Sequence, residues 1–471
     1  MKRIYQLCIN IFPNVDWVYE CMLTLLNRNR KNDTLNVSKE FLFYFHRYLT
    51  INPKSILKWR LTAYFANLVN YDIIGMQKIM QKFIEIQAVF IKQHQLDSLN
   101  LSISSDNLFI NYNVHGYLDT HVKARLLGLH PNNRIFLFLR PTDIVLNPVM
   151  LKYWRKYITI IEDEFTIRTL MPFKKYLQED FGYTAIIKGS PVYIEHAKYI
   201  VQKEWEKQGR KSLFELTSED KDFGWEQLSK IGIPKNSWFV SLHVRDAGFK
   251  LGSHLAKDEF DAYRNADIDN YKLAIQTIIN SGGIVIRVGD PNMKNISPIE
   301  GMFDYAHSDV RSNRMDIFLF SQCRFFIGVS SGPILNPILF GVPAIMTNFM
   351  PISGRPHASN CLFIPKHLWL KKENRYANYP EILSSDLGRI YTPHGYEEKN
   401  VDVIENSPEE INEVVIEMLD RLEGRFTYSK EDDERQEKLR ELYRKYSGYG
   451  DLGRIGNKFI KKYSDNGLLS G

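Results

Sequence analysis

Residues Phe325–Gly354 form the longest run without a charged side chain, and they decide what kind of core this chain builds. Hydropathy alone would make the run a membrane span. Pro333, Pro337, Pro343 and Pro351, with several glycines, preclude a single helix across a bilayer. The run reads instead as a buried strand at Phe325–Val329, a turn at Ser330-Ser331-Gly332-Pro333, a helix and a second strand at Ala344–Thr347. Leu339-Phe340-Gly341-Val342-Pro343 closes that helix. A strand buried on both faces and followed by a helix is the repeating unit of a covered parallel sheet.

The same alternation extends in both directions. Short apolar strands at Leu108–Tyr112, Arg134–Leu139 and Tyr157–Ile161 are interleaved with a helix around Thr120–Leu127. A charged, strandless stretch at Lys203–Gly224 reads as a linker. A second series then runs through Trp238–Val244, the helix Asn270–Asn280, Gly283–Val288 and the helix Met315–Gln322. Ser407-Pro408-Glu409-Glu410 is a capping box with proline at the first helical position, opening a helix to about Leu422. Charged helices follow through Glu431–Tyr446. Residues 14–94 carry helical spacing, with segments at 16–29, 38–50, 53–70 and 72–94 of tetratricopeptide-like character. The fold class is therefore α/β: two Rossmann-like lobes facing across a cleft, preceded by a small all-helical domain. The expected divisions are 1–100 helical, 101–225 first lobe, 226–400 second lobe and 401–471 helical tail.

Charge narrows the partners. The chain holds 61 Lys+Arg against 55 Asp+Glu, and residues 1–100 hold 13 of the bases and 7 of the acids. The remainder balances at 48 against 48, so no basic stripe for nucleic acid runs along it. An electrostatic partner, an anionic membrane surface or an acidic protein, belongs with residues 1–100. Cys8, Cys21, Cys323 and Cys361 are too scattered for a disulfide framework or a zinc site. The apolar run of Met1–Phe12 is too short for a signal peptide, so a reducing cytoplasm is expected, with peripheral attachment at the inner membrane face as its variant.

In an open α/β sheet, ligands bind beyond the carboxyl ends of strands, and chemistry-bearing residues cluster there. Ser241-Leu242-His243-Val244-Arg245-Asp246-Ala247-Gly248 runs a buried strand straight into His243, Arg245 and Asp246. An arginine there offers a permanent charge and forked hydrogen bonds to phosphate, Asp246 can orient it, and His243 can donate to a phosphate or ribose. Arg287, Gly289 and Asp290 follow the next strand, and Ser330, Ser331 and Gly332 the one after. The serine turn's N–H groups and hydroxyls suit a diphosphate at a helix start. In the first lobe, Asn113-Val114-His115-Gly116-Tyr117-Leu118-Asp119 follows a strand. Gly116 admits close approach of a substrate, and His115 or Asp119 can serve as general base; the alternative is an ordinary turn with Asp119 capping a helix. The acidic groups Glu162-Asp163-Glu164 and Asp267-Ile268-Asp269 read as a solvated turn and a helix cap, so no metal is expected.

Several segments in order resemble one family. His115–Gly128 (HGYLDTHVKARLLG), Ser241–Gly248 (SLHVRDAG), Tyr263–Tyr271 (YRNADIDNY), Gly282–Gly289 (GGIVIRVG), Asp316–Gly332 (DIFLFSQCRFFIGVSSG) and Phe340–Asn348 (FGVPAIMTN) look like a family of bacterial glycosyltransferases. That family is distantly related to the fucosyltransferase-like sugar transferases of the GT-B fold. The resemblance covers roughly residues 105–465 and implies a nucleotide-sugar donor. It places the donor diphosphate on His243 and Arg245, with Asp316 among the donor-side residues and Arg264 and Asn265 as substrate contacts. Asp246 stands where the fuller fucosyltransferase motif has a second arginine, which takes GDP-fucose itself out of the implication.

The function these residues point to is metal-independent transfer of a hexosyl or deoxyhexosyl group from a nucleotide sugar to an acceptor hydroxyl, in bacterial surface-glycan or protein-glycan synthesis. A non-hydrolysing sugar-nucleotide epimerase, a nucleotide-binding scaffold without catalysis, and a metal-dependent single-Rossmann transferase are the alternatives.

Overall fold

The computed structural model describes residues 81, 84–89, 91–104, 113–179, 184–235, 237–250, 259–446 and 452–465. The helical segments expected within 14–94 lie outside them, apart from helical residues among 81–93, as does the strand expected at Leu108–Tyr112. The chain forms two compact units. The first takes in the described residues of 1–108 with Ala124–Ile144 and Arg155–Ala197. The second takes in those of 109–123 with Val145–Trp154 and those from Lys198 onward.

The first unit is built on a parallel sheet of β1 (Leu101–Ile103), β2 (Arg134–Phe138) and β3 (Thr159–Ile161), in that order. Asp163 accepts from Thr166 N at 2.7 Å and starts the helix Glu164–Leu177. The expected solvated turn at 162–164 is thus a helix cap, because its middle carboxylate satisfies an orphan N–H. Ile167 and Leu177 of that helix join Leu96, Ile103 and Phe138 in one buried cluster. A hairpin follows, β4 (Thr184–Ile187) and β5 (Ser190–Tyr193). Its two-residue turn, Lys188-Gly189, has φ of 51° and 80°, the left-handed pair a tight hairpin requires.

The second unit carries a seven-stranded sheet. Its strands are β6 (Phe239–His243), β7 (Ile284–Arg287), β8 (Met302–Asp304), β9 (Phe325–Gly328), β10 (Ala344–Phe349), β11 (Leu362–Pro365) and β15 (Arg454–Ile455). The order is β15-β11-β10-β9-β6-β7-β8, and every pairing is parallel. All residues of β6, β9 and β10 are buried, as a sheet covered on both faces demands. Between β11 and β15 the chain adds β12 (His367–Leu370), β13 (Arg375–Tyr376) and β14 (Val401–Ile404), an antiparallel sheet ordered β13-β12-β14. The helices Lys272–Asn280 and Pro408–Leu422 pack on each other, as do Ser218–Lys230 and Asn313–Gln322. At the second contact Gly224 lies flat on Phe318, where a Cβ would stand 2.0 Å from the ring. Cys323 and Cys361 are buried free thiols, pushed up to about 12 by burial.

Two sequence expectations change here. The stretch Lys203–Gly224 is the end of the helix Ile194–Lys207 and the start of Ser218–Lys230, not a linker throughout. Thr217 starts the latter by accepting from Asp220 N at 3.2 Å. Residues 113–119 are helical rather than a turn, within Asn113–Leu126, so Asp119 caps nothing. Burial on several sides replaced the one-sided stripe that marks a surface helix, which hid it from a periodicity argument.

The tail is tied down by a buried carboxylate. Ser407 closes the expected capping box on Pro408–Leu422. Glu410 Oε2 accepts from Ser407 N at 3.2 Å and His367 Nε2 at 3.1 Å, and Oε1 from Tyr463 Oη at 2.5 Å and Lys462 Nζ at 3.2 Å. Burial raises this carboxyl's pKa, but His367, Tyr463 and the Ser407 N–H more than offset it and bring it to about 2. A folded pKa below the unfolded one contributes stability that is complete above the ordinary value of 4.5 and lost as pH falls toward 2. Glu410→Gln is therefore expected to lower Tm at pH 7 and to flatten the fall of Tm between pH 4.5 and 2, read by circular dichroism.

Candidate functional site

The carboxyl ends of β6, β9, β10 and β11 bring together residues from distant parts of the sequence, all within the second unit. His243 ends β6, and its Nδ1 donates to Val288 O at 3.2 Å, which leaves Nε2 as an acceptor. Burial, aided by the charges of Arg245 and Arg287, lowers its pKa to about 4, so the ring is neutral at pH 7. A neutral His243 keeps Nε2 as an acceptor, whereas the sequence predicts a ring that donates to a phosphate or ribose. Arg245 is 5% exposed. Its Nη1 donates to Asp261 O at 3.0 Å and to Asn265 Oδ1. Burial and the neighbouring Arg264 lower its pKa to about 10, so it keeps its charge at pH 7.

The segment 261–266 wraps Arg245. Ala266 N donates to Arg245 O at 3.0 Å, and Arg264 pairs with Asp261 at 2.7 Å and reaches Ser330 O at 3.4 Å. Ser330 Oγ accepts from Met350 N at 2.9 Å, linking the ends of β9 and β10. Ser331 Oγ is a buried hydroxyl without a hydrogen-bond partner. After it come a 3-10 turn, Gly332–Ile334, and the short helix Leu335–Leu339, so the helix start expected at the serine turn supplies little dipole. The turn's own polar groups remain. His243, Arg245, Arg264, Asn265 and the Ser330–Gly332 turn thus form one linked constellation.

Other expected residues serve the frame around it. Arg287 is fully buried, donating to Asp304 Oδ2 at 3.1 Å and Lys294 O at 2.5 Å, which joins β7 to β8. Asp246 accepts from Gly248 N at 2.7 Å and Lys294 N at 2.8 Å, so its carboxylate clamps backbone. Gly289 packs against Met293, whose Sδ would stand 2.6 Å from an added Cβ. Asp316 accepts from Tyr305 Oη at 2.7 Å at the foot of Asn313–Gln322, with burial raising its pKa. Asp267 and Asp269 share Lys294 Nζ at 2.8 and 2.6 Å. Among the described residues no group of three or more His, Cys, Asp and Glu side chains is placed to hold a metal ion, and no helix is long and apolar enough to cross a membrane.

A second cluster lies on the helix Asn113–Leu126, whose residues to Lys123 belong to the second unit. His115, Asp119 and Lys123 fall four residues apart, on one helix face. Trp154 Nε1 donates to His115 Nδ1 at 2.9 Å, so the neutral ring carries its proton on Nε2. Burial lowers the His115 pKa to about 3. His115 is thus an N–H donor in its neutral form, and of the two base candidates Asp119 is the carboxylate. Asp119 Oδ2 pairs with Lys123 Nζ at 2.8 Å, while Oδ1 is buried without a hydrogen-bond partner. Burial raises the Asp119 pKa against the pull of Lys123 and Lys198. Gly116 is where this helix meets the serine-turn segment: an added Cβ would stand 3.3 Å from Leu335 Cδ1 and 3.6 Å from Lys198 Cε.

Sequence reasoning missed Lys366 and His357. Lys366 follows β11, is 5% exposed, and has its pKa lowered to about 8 by burial, which Glu405 opposes. His357 is lowered to about 3 by burial and then by Lys198 and Lys123, which places it at the second cluster. Neither was signalled because β11 is four residues long and the 350–360 segment carries no period.

No family model and no curated protein matches the sequence. Among solved structures, the chain is similar to a glycosyl transferase family 9 protein from Veillonella parvula, at 11% identity over 52% of this chain and 79% of that one, with a TM-score of 0.31. ADP-heptose lps heptosyltransferase II from E. coli matches at 10% identity over 56% of this chain and 89% of that one, with a TM-score of 0.31. The iron-containing dodecameric glycosyltransferase TibC from enterotoxigenic E. coli matches at 13% identity over 52% and 57%, with a TM-score of 0.30. Likeness of this degree assigns neither a family nor an activity to the chain.

Proposed function

We propose that the chain is a glycosyltransferase that moves a sugar from a nucleotide-sugar donor to an acceptor hydroxyl. The observation that carries the reading is the buried Arg245, held by Asp261 and Asn265 at the carboxyl end of a central parallel strand, with the Ser330–Gly332 turn on the adjoining strand. In transfer, the bond from the anomeric carbon to the diphosphate oxygen breaks and the acceptor oxygen takes its place. Negative charge grows on the departing diphosphate, where Arg245 and the Ser331 hydroxyl and turn N–H groups stabilise it. His243 Nε2 receives a donor hydroxyl. The acceptor's proton goes to Asp119 Oδ1, whose raised pKa suits a base, and His115 Nε2–H orients the acceptor.

Arg245 supplies the fixed cation, so the reading includes activity without added metal. It also takes the transferred group to be hexosyl or deoxyhexosyl, the acceptor a bacterial surface glycan or a protein glycan, and the site of action the cytoplasm. The divisions at 1–100, 101–225, 226–400 and 401–471 belong to the same reading, with residues 1–100 meeting an anionic membrane or an acidic protein.

The test is a thermal-shift titration of the full chain with GDP, UDP, CDP and ADP in buffer containing EDTA. A concentration-dependent rise in Tm with at least one of them is expected. No rise with any, with or without magnesium, contradicts the reading.

A further inference from the structure

Lys366 is a buried cation that the proposed transfer does not use, and burying an ammonium is costly unless its charge meets a partner. Its Nζ donates to the Asn265 main-chain carbonyl at 2.5 Å. The same residue's side-chain oxygen accepts from Arg245 Nη1. Asn265 is therefore held from both sides, by lysine on its backbone and by arginine on its amide. Glu405 Oε1 lies 3.9 Å from Lys366 Nζ, and its other oxygen accepts from Asp267 N at 3.0 Å and Asn270 Nδ2 at 3.1 Å. The Lys366–Glu405 pair thus grips residues 265–270, the continuation of the segment that wraps Arg245.

The purchase on Arg245 is directional. A guanidinium is recognised by its plane, and its useful edge is set by which N–H groups the protein has already taken. Asp261 O and Asn265 Oδ1 both take Nη1, and Asp261 Oδ2 lies 3.7 Å from Nη2; both partners belong to the wrapping segment. A shift of that segment turns the plane. Lys366 anchors the end of the segment nearest the arginine's contact, from a strand two places across the sheet from β9.

We infer that Lys366 is a positioning residue, which fixes Arg245 for the diphosphate of a ligand by holding Asn265 in place. The inference rests on the reading of Arg245 as an anion-binding residue. Lys366 itself touches the wrapping segment, so its loss acts through Arg245 and not beside it.

The test is calorimetric titration of the full chain with inorganic pyrophosphate. Lys366→Met is expected to weaken binding about tenfold, the loss of one charge-assisted hydrogen bond. Lys366→Arg, which restores a cation at the same place, is expected to recover most of that affinity. The double variant Arg245→Ala/Lys366→Met is expected to bind no more weakly than Arg245→Ala alone, because the two act in series. Asn265→Ala cuts the relay from its other side and serves where Lys366→Met does not fold; the same tenfold loss is expected. Wild-type affinity in Lys366→Met or in Asn265→Ala, absence of recovery in Lys366→Arg, or additive losses in the double variant each overturn the inference while Arg245→Ala still loses binding. Failure of the wild type to bind pyrophosphate, or unchanged affinity in Arg245→Ala, overturns the underlying reading, and the inference with it.

Discussion

On the proposed function, Arg245→Ala is expected to reduce turnover of the nucleotide sugar about 10²- to 10³-fold, the effect of removing one fixed donor from a developing oxyanion, and to reduce nucleoside diphosphate affinity with it. The side chain is 5% exposed and tied to Asp261 and Asn265, so its loss also leaves those oxygens without their donor. Some fall in Tm is therefore expected, and circular dichroism at the assay temperature establishes that the variant is folded. Arg245→Lys separates charge from geometry. A lysine keeps the charge but not the planar fork that can meet a phosphate with two parallel N–H groups, so it is expected to recover only part of the loss. Full activity in Arg245→Ala would remove the strand-end constellation from the reaction.

Asp119→Asn produces the complementary result. On the same reading, turnover is expected to fall about 10²- to 10⁴-fold, the contribution of a positioned general base, with nucleoside diphosphate affinity at the wild-type value. The two variants are distinguished by that split between affinity and turnover. Asparagine keeps the shape of the side chain and removes the charge that Lys123 pairs with at 2.8 Å, so a lower Tm accompanies the change. The wild-type rate falls with acidity along a limb that lies above the ordinary carboxylate pKa, because burial raises the Asp119 value and the protonated carboxyl cannot take a proton. Asp119→Asn lacks that limb. Normal turnover in Asp119→Asn would return the base role to another group, and the Nδ1 bond from Trp154 argues that this group is not His115.

Strands whose residues are buried on both faces were legible in the sequence, since a run such as Phe325–Gly328 or Ala344–Phe349 has no other soluble home. Helix starts were legible where a side chain satisfies the first N–H groups, as at Ser407. Short edge strands were not. β8 and β15 are three and two residues long and present no period to read. The helix Asn113–Leu126 was missed over its first half because it is buried on several sides, and its role changed with it: Asp119 became an interior carboxylate. Within the candidate site, residue types at strand ends pointed to His243, Arg245 and the Ser330–Gly332 turn. What the residue types did not show was who already holds each group. Arg287 and Arg245 look alike in sequence, yet both terminal nitrogens of Arg287 are held by Asp304 and the Lys294 carbonyl within the frame between β7 and β8. Lys366 and Asn265 meet because both follow the carboxyl ends of strands in one sheet, β11 and β6, a proximity across about a hundred residues that no local pattern records.

The account stands or falls on where a nucleoside diphosphate sits. Its most direct test is a crystal structure of the chain soaked with whichever of GDP, UDP, CDP or ADP raises Tm most. The account predicts the diphosphate within hydrogen-bond reach of Arg245 and of the Ser331 hydroxyl, beyond the carboxyl ends of β6 and β9. A diphosphate bound away from both residues would contradict it.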